Sequence, residues 1–315
     1  MRDKLNDLIK KLGTILVGKE DKILKIVSNI IAGGNILLED MPGVGKTVVS
    51  KALSRLIFRE EIGKLIKFSR IQGTPDLLPY DITGVDIYDA DKKEFVFKPG
   101  PVFTDILLAD ELNRTTPKVQ SALLQAMAEK LVTIGSKTYA LPEIFFVIAT
   151  QNPVETEGTY PLPVAQLDRF TTCLSIGYPD FEDELVVFRN GKSEERLNKL
   201  EPAISDADLI KLRGELKNIE VNDKILRIIG KIAQKTREQK DIKMGLSTRA
   251  GLMAIDLLRA KSYLENREFV VDQDVIDLCE DVWAHRLILI NPQQKAKEVI
   301  SKITREEVRK AMRSV

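Results

Sequence analysis

The stretch "LLEDMPGVGKTVVSKAL", residues 37–53, decides how this chain is read. It opens as an apolar run, turns through a glycine-containing loop and continues with helical spacing. The loop ends in Gly45-Lys46-Thr47, the tail of a phosphate-binding loop of the form G-x-x-x-x-G-K-[ST]. That pattern expects its first glycine at position 40, where this chain carries Asp40. The work of the first glycine is mainly conformational, and Asp is among the residues that tolerate turn geometry. Backbone N–H groups of such a loop, with the start of the following helix, form a cradle for an anion. Gly43 and Gly45 let the backbone approach phosphate oxygens with no Cβ in the way. The candidate nucleotide-binding segment is therefore Pro42, Gly43, Val44, Gly45, Lys46, Thr47 and Val48. Lys46 is expected at the β- and γ-phosphates of ATP, and the Thr47 hydroxyl on Mg²⁺.

A loop of this kind needs a second acid to hold the metal through its water shell, at the end of a later buried strand. "DILLADE", residues 105–111, supplies it. Asp110 closes the apolar run and joins Thr47 as an expected metal residue. Glu111 stands beside it, placed to polarise a water for in-line attack on the γ-phosphate. An Asp-Glu pair alone reads as a solvated helix start. The apolar residues before it, and the Gly-Lys-Thr upstream, give it the catalytic reading.

Outward from these two motifs, strands and helices alternate. "NILLE", "KLIKFSRI" at 64–71, 105–111, "EIFFVIATQN" at 143–152 and "TCLSIGY" at 172–178 have strand character. Helical spacing covers 3–12, 19–32, 47–59 and 116–130. The alternation predicts an α/β fold with a mainly parallel sheet, and the uninterrupted apolar runs fit strands covered on both faces. Two hairpins interrupt the pattern, one near 82–98 and one near 131–141 that turns at Gly135-Ser136. After Pro179 the strand signals fade and helical ones repeat. Ser205 with Asp208 resembles a capping box, and Asn222, Ser247 and Asp272 stand where helix caps belong. The tail after Pro292 reads as a packed amphipathic helix. These features predict a nucleotide-binding α/β core over 1–178 and a small all-helical domain over 179–315.

The composition, 43% hydrophobic and 30% charged, is that of a globular protein. The 48 basic and 47 acidic side chains leave a net charge of +1, which argues against a nucleic-acid partner. Cys173 and Cys279 stand far apart without CxxC spacing and read as reduced thiols. A single histidine, His285, argues against a His-based metal site. No apolar run reaches the roughly 18 residues of a membrane span, and the first residues have no signal-peptide core. A cytoplasmic location without membrane insertion is the expectation.

Several stretches together resemble the MoxR-type AAA+ ATPases: "EDMPGVGKT", "IQGTPDLLPYDITG", "FKPGPVF", "LLADELNRTTPKVQSALLQAMAEK", "VIATQNPVETEGTYPLPVAQLDRF" and "GLSTRAGL". They run in family order from about residue 15 to 290. The resemblance implies an AAA+ core with a five-stranded parallel sheet, a helical lid, and the two hairpins as the helix-2 and pre-sensor-1 insertions. It implies that Asn152 is the sensor-1 residue, Arg169 in "LDRF" the arginine finger that reaches a neighbouring subunit's ATP, and Arg249 in "STRA" sensor 2. Val17 and Gly18 resemble the segment that lies along the adenine. The activity implied is Mg²⁺-dependent ATP hydrolysis in a ring, a hexamer by family expectation, that drives chaperone-like remodelling or maturation of partner proteins. The client class implied is von Willebrand factor A domain proteins. Two other outputs use the same nucleotide site: a nucleic-acid motor, for which Lys137 at the second hairpin tip is the one pointer, and a subunit of metal-chelatase type. A switch that binds ATP with little turnover is disfavoured by intact Lys46, Asp110 and Glu111.

Overall fold

The computed structural model describes residues 1–41, 43–154 and 158–313. Pro42, one of the expected loop residues, lies outside them. Five strands form the central sheet: β1 (Ile36–Glu39), β2 (Phe68–Gln72), β3 (Ile106–Asp110), β4 (Phe146–Gln151) and β5 (Thr172–Leu174). Their order is β5-β1-β4-β3-β2. β3 pairs in parallel with β4, Phe146 opposite Ile106, and with β2, Gln72 opposite Asp110. All five residues of β3 and the first five of β4 are buried. That burial is why both strands read as continuous apolar runs rather than alternating ones. The polar residues that end them, Asp110 and Gln151, come at the carboxyl edge, where open α/β sheets bind ligands.

Helix Lys46–Leu56 follows the glycine loop and buries Val49, Ala52, Leu53 and Leu56. It stops three residues before the end expected from spacing. Ile57–Arg59 leaves the helix and pairs antiparallel with Lys64–Leu65 and parallel with Ile204–Ser205. The last of these strands is two residues long, too short to show a period, so sequence spacing continued the helix through residues that tertiary pairing takes. "KLIKFSRI" likewise divides into Lys64–Leu65 and β2.

Both expected hairpins form. Gly84–Asp89 pairs with Glu94–Pro99, and Leu131–Ile134 pairs with Lys137–Ala140 across Gly135, whose φ is +57°. They are joined side chain to side chain, with Phe97 and Tyr139 stacked at 4.2 Å and 19° and Phe103 edge-on to both.

The chain divides into two compact units, each discontinuous in sequence. The first comprises Met1–Ile23, Leu37–Leu162 and Ser175–Ile210; the second comprises Leu24–Ile36, Pro163–Leu174 and Lys211–Val315. In the second unit, helices Asp223–Glu238, Thr248–Leu264, Asp272–Trp283 and Ala296–Arg313 bury Ile228, Ile232, Leu257, Leu278, Trp283 and Ile300. Asn222 Oδ1 accepts from Ile225 N–H at 3.0 Å and Ser247 Oγ from Ala250 N–H at 3.1 Å, so both act as caps. In the first unit, Ser205 and Asp208 make the reciprocal capping box, at 3.1 Å in each direction. Asp272 does not cap. It is the first helical residue, and Asp274 reaches back to the Val271 N–H at 2.9 Å. Asp274 is also held by Lys261 and Arg267, and that pairing turns it inward. A short sheet of Ile242–Met244 with Ile288–Leu289 in this unit has no counterpart in the all-helical expectation. Among the described residues no helix is long and apolar enough to cross a membrane.

Candidate nucleotide site

The first unit holds the glycine loop, the acid pair and a cavity with both apolar and charged lining. Gly43 and Gly45 have φ of +89° and +92°, a region that penalises any Cβ. A Cβ at Gly43 would meet no protein atom within 4 Å, so glycine is required there by backbone conformation rather than by crowding. Gly45 is the N-cap of helix Lys46–Leu56, whose first N–H groups have no partner within the helix. The Lys46 ammonium donates to the backbone oxygen of Asp40 at 2.7 Å. Thr47 and Val48 are half-buried in the first helical turn, and Val44 is buried.

Asp40 takes no position in the phosphate cradle. Its carboxylate is turned to the chain after β5: Oδ1 accepts from Ser175 Oγ at 2.7 Å and Gly177 N–H at 3.1 Å, and Oδ2 from Ile176 N–H at 2.7 Å. Asp40 is 5% exposed. Its charge is thus taken up by the Ser175 hydroxyl and the backbone N–H groups of Ile176 and Gly177. The same bonds fit the end of β5 at Leu174 although strand character continues to residue 178: the Ile176 and Gly177 N–H groups go to a carboxylate, not to a ladder.

Asp110 is 8% exposed. Its Oδ1 accepts from Thr150 Oγ1 at 2.6 Å and its Oδ2 from Arg70 Nη2 at 2.7 Å. Glu111 sits in the left-handed region at φ +52°, uncommon for a residue with a side chain and characteristic of functional positions. Its N–H donates to Thr150 Oγ1 at 2.9 Å, and its Oε2 accepts from Gln72 Nε2 at 2.8 Å and lies 3.2 Å from Arg114 Nε. Gly73 makes this approach possible, since a Cβ there would stand 2.2 Å from the Glu111 carbonyl oxygen. Asn152 follows β4; its Oδ1 accepts from Val154 N–H at 3.2 Å in a local turn.

A cavity of about 280 Å³ adjoins the loop, close to the lower end of the roughly 300–1,000 Å³ of small-molecule sites. Leu16, Val17, Val44, Val48, Ile176 and Phe188 supply its apolar lining, and Gly43 and Gly45 form the border it shares with the anion cradle. Gly18 does not line it. Its φ is +68°, and a Cβ there would collide with the Asp183 carboxylate, so Gly18 shapes the turn and Val17 meets the cavity. Crowding of Asp183 raises its carboxyl above the ordinary value, by desolvation first and then by Asp180.

Arg169 and Arg249 belong to the second unit. Arg169 follows the short helix Val164–Leu167, and Arg249 is in the first turn of helix Thr248–Leu264. His285, the sole histidine, is also in this unit, with its Nδ1 sealed from solvent and its Nε2 3.3 Å from the Phe170 carbonyl oxygen. Burial first, then the neighbouring Arg286, push its imidazole well below the usual value. Cys173 and Cys279 are buried and form no disulfide, and among the described residues no cluster of three or more His, Cys, Asp or Glu is placed to hold a metal.

Residues 35–172 match the ATPase family associated with various cellular activities (AAA), and residues 234–310 match the AAA lid domain. The chain is 37% identical over 295 residues to Chaperone MoxR1 of Mycobacterium tuberculosis, covering 90% of this chain and 76% of that protein. The chain belongs to the MoxR family of AAA+ ATPases. Within that family it is 41% identical over 309 residues to the uncharacterized protein YeaC of Bacillus subtilis, covering 98% of this chain and 94% of that one. The crystal structure of a candidate ATPase from Cytophaga hutchinsonii superposes with a TM-score of 0.84 at 36% identity, over 96% of this chain and 94% of the other. The α/β AAA+ fold and the ATPase activity follow from the same matches.

Sequence reading of this MoxR-family ATPase missed three residues that hold the acid pair: Arg70, Gln72 and Thr150. Each sits on a strand next to β3, Gln72 and Thr150 near its carboxyl end and Arg70 in the middle of β2, and only strand order brings them there. Gln72 lies opposite Asp110 in the parallel register. Gln72 and Thr150 carried one local signal, their position where a strand turns polar, and Arg70 carried none.

Proposed function

We propose that this ATPase binds ATP between the glycine loop and the cavity, hydrolyses it with Mg²⁺ in a ring of identical subunits, and uses the cycle to remodel protein clients. The observation that carries the proposal is the convergence, within one compact unit, of the Gly43–Lys46 cradle, the Asp110–Glu111 pair and the cavity beside them. Val17 and the cavity wall would enclose the base. Lys46 would leave its Asp40 carbonyl for the β- and γ-phosphates. Glu111 would accept the proton of the attacking water as the bond from the γ-phosphorus to its bridging oxygen breaks, giving ADP and phosphate. Gln72 and Arg114 hold that carboxylate in place, and Asn152 would orient the water. Arg169 of a neighbouring subunit and Arg249 would neutralise charge that builds on the γ-phosphate.

The donor set fits Mg²⁺. This ion keeps several waters and takes one or two protein oxygens beside the substrate phosphates, which Thr47 and Asp110 can supply without a protein cage. When bound, it neutralises charge on the β- and γ-phosphates. Asp110 retains lone pairs for a metal-bound water beyond its bonds to Thr150 and Arg70. In functional terms residues 1–178 act as the nucleotide-binding core and 179–315 as the lid. The ring is a hexamer in the cytoplasm, and the clients are von Willebrand factor A domain proteins. The name of the Mycobacterium tuberculosis relative, a chaperone, supports the remodelling output.

The test is ATP hydrolysis per subunit against protein concentration, for wild type, Lys46→Ala, Arg169→Ala and an equal mixture of the two variants. The ring reading expects a rate that rises with concentration, two inactive variants, and recovery in the mixture, where each variant supplies what the other lacks. A concentration-independent rate with an active Arg169→Ala overturns it.

A further inference from the structure

A buried cluster in the second unit stands outside this scheme. The Arg286 side chain is 1% exposed. Its Nε donates to Asp168 Oδ1 at 2.9 Å, its Nη2 to the Phe170 carbonyl at 2.5 Å, and its Nη1 to the carbonyls of Thr171, at 3.3 Å, and Val282. One guanidinium therefore grips the chain on both sides of Arg169. Asp168 is shared: Ser247 Oγ lies 3.0 and 2.9 Å from its two oxygens. Ser247 is the N-cap of helix Thr248–Leu264, whose second residue is Arg249. The Trp283 indole N–H closes the cluster onto the Ala250 carbonyl at 3.2 Å.

Taking a guanidinium out of water is costly unless its donors are met. Here a carboxylate and three carbonyls meet them, an arrangement that uses the planar fork of Arg and that the point charge of Lys does not reproduce. Core packing alone asks for no such fork. We propose that Arg286, acting through Asp168 and Ser247, is a positioning residue that sets Arg169 and Arg249 as one unit. The arginine offered to a neighbour's nucleotide and the arginine of the lid then share one buried joint, so displacement of either is felt by the other. This inference rests on the roles given to Arg169 and Arg249 above.

The test uses the full chain and the variants Arg286→Lys, Ser247→Ala and Ser247→Thr, with Arg169→Ala and Arg249→Ala in parallel. Two quantities are read: kcat for ATP, and affinity for ADP, which lacks the phosphate that both arginines address. A misplacement of about 1 Å costs on the order of 100-fold in rate. We expect Arg286→Lys and Ser247→Ala to lose at least about tenfold in kcat with ADP affinity held within about twofold, and Ser247→Thr to restore kcat. Loss of ADP affinity in step with kcat would mean a merely structural joint and overturn the proposal. Wild-type kcat in both joint variants, with Arg169→Ala and Arg249→Ala inactive, overturns it and leaves the roles of those arginines standing. If the two alanine variants are themselves silent, those roles fail and the joint fails with them. Should Arg286→Lys not fold, Ser247→Ala, which keeps the Arg286–Asp168 pair, decides alone.

Discussion

At the scale of single residues, Asp40 shows how a departure from a motif acquires a separate function. The consensus glycine would serve the loop, yet the aspartate ties residues 175–177 to the end of β1. Asp40→Gly restores the motif and leaves the buried Ile176 N–H and the Gly177 N–H without their acceptor. Each unsatisfied group costs about 1–3 kcal/mol, so a loss of about 2–6 kcal/mol is expected in urea unfolding. Unchanged stability would show that the tie is dispensable. His285 makes a second prediction. Its folded-state pKa is depressed, so its contribution is complete above the unfolded value near 6.5 and is lost as pH falls through that value toward the folded one. The slope reaches about 1.4 kcal/mol per pH unit for one proton. The difference between wild type and His285→Gln isolates the imidazole. Denaturant unfolding at pH 7.5, 6.5 and 5.5 should show that the variant loses less stability on acidification; parallel curves would contradict the assignment.

At the scale of elements, the caps separate what is local from what is not. Asn222, Ser247 and the Ser205–Asp208 box act within three residues of themselves, and sequence spacing identified all of them. The helix at Asp272 was assigned the wrong aspartate, because Asp272 and Asp274 look alike until Lys261 and Arg267 are brought to the second. Asp274 is 1% exposed, and although burial alone would raise its carboxyl, Arg267, Lys261 and the Val271 N–H hold it below the ordinary value. Asp274→Ala removes the acceptor shared by Lys261, Arg267 and the Val271 N–H, while the two cations keep Glu265 and Asp277, and should cost about 2–3 kcal/mol. Asp272→Ala, which loses one bond to Lys224, should cost about 1 kcal/mol or less. Equal losses by thermal unfolding would refute the distinction. The hairpins make a parallel case. The Phe97–Tyr139 stack should show a coupling of about 0.5–1.5 kcal/mol in a double-mutant cycle to alanine. Phe95, 68% exposed, should change stability by no more than about 0.5 kcal/mol on replacement by Ser.

At the scale of the whole molecule, each of the two units has its own core, and the glycine loop belongs to the first. A ligand that binds only the folded site stabilises it by mass action, about 2.7 kcal/mol at 100 times its Kd. ADP with Mg²⁺ should therefore shift the unfolding of the unit that carries Gly43–Thr47 by about that amount. Lys46→Ala should abolish the shift while it leaves unliganded stability near wild type. A probe in the first unit, such as a fluorophore near Phe188, reads the effect directly. An undiminished shift in Lys46→Ala would place the nucleotide elsewhere.

By itself the amino-acid sequence determined the glycine loop before helix Lys46–Leu56, the acid that ends β3, the α/β alternation and most of the helix starts. Each is written within a few adjacent residues, where backbone propensity, periodicity and side chain-to-backbone bonds operate. The tertiary structure alone decided the strand order, the partners of Asp110 and Glu111, the cavity beside the loop, the use of Asp40 and the joint at Arg286. Ser175 lies 135 residues from Asp40, and Arg286 lies 118 from Asp168. No local pattern encodes such a pair, because the free energy that selects it comes from burying both groups at once, and burial is a property of the assembled fold.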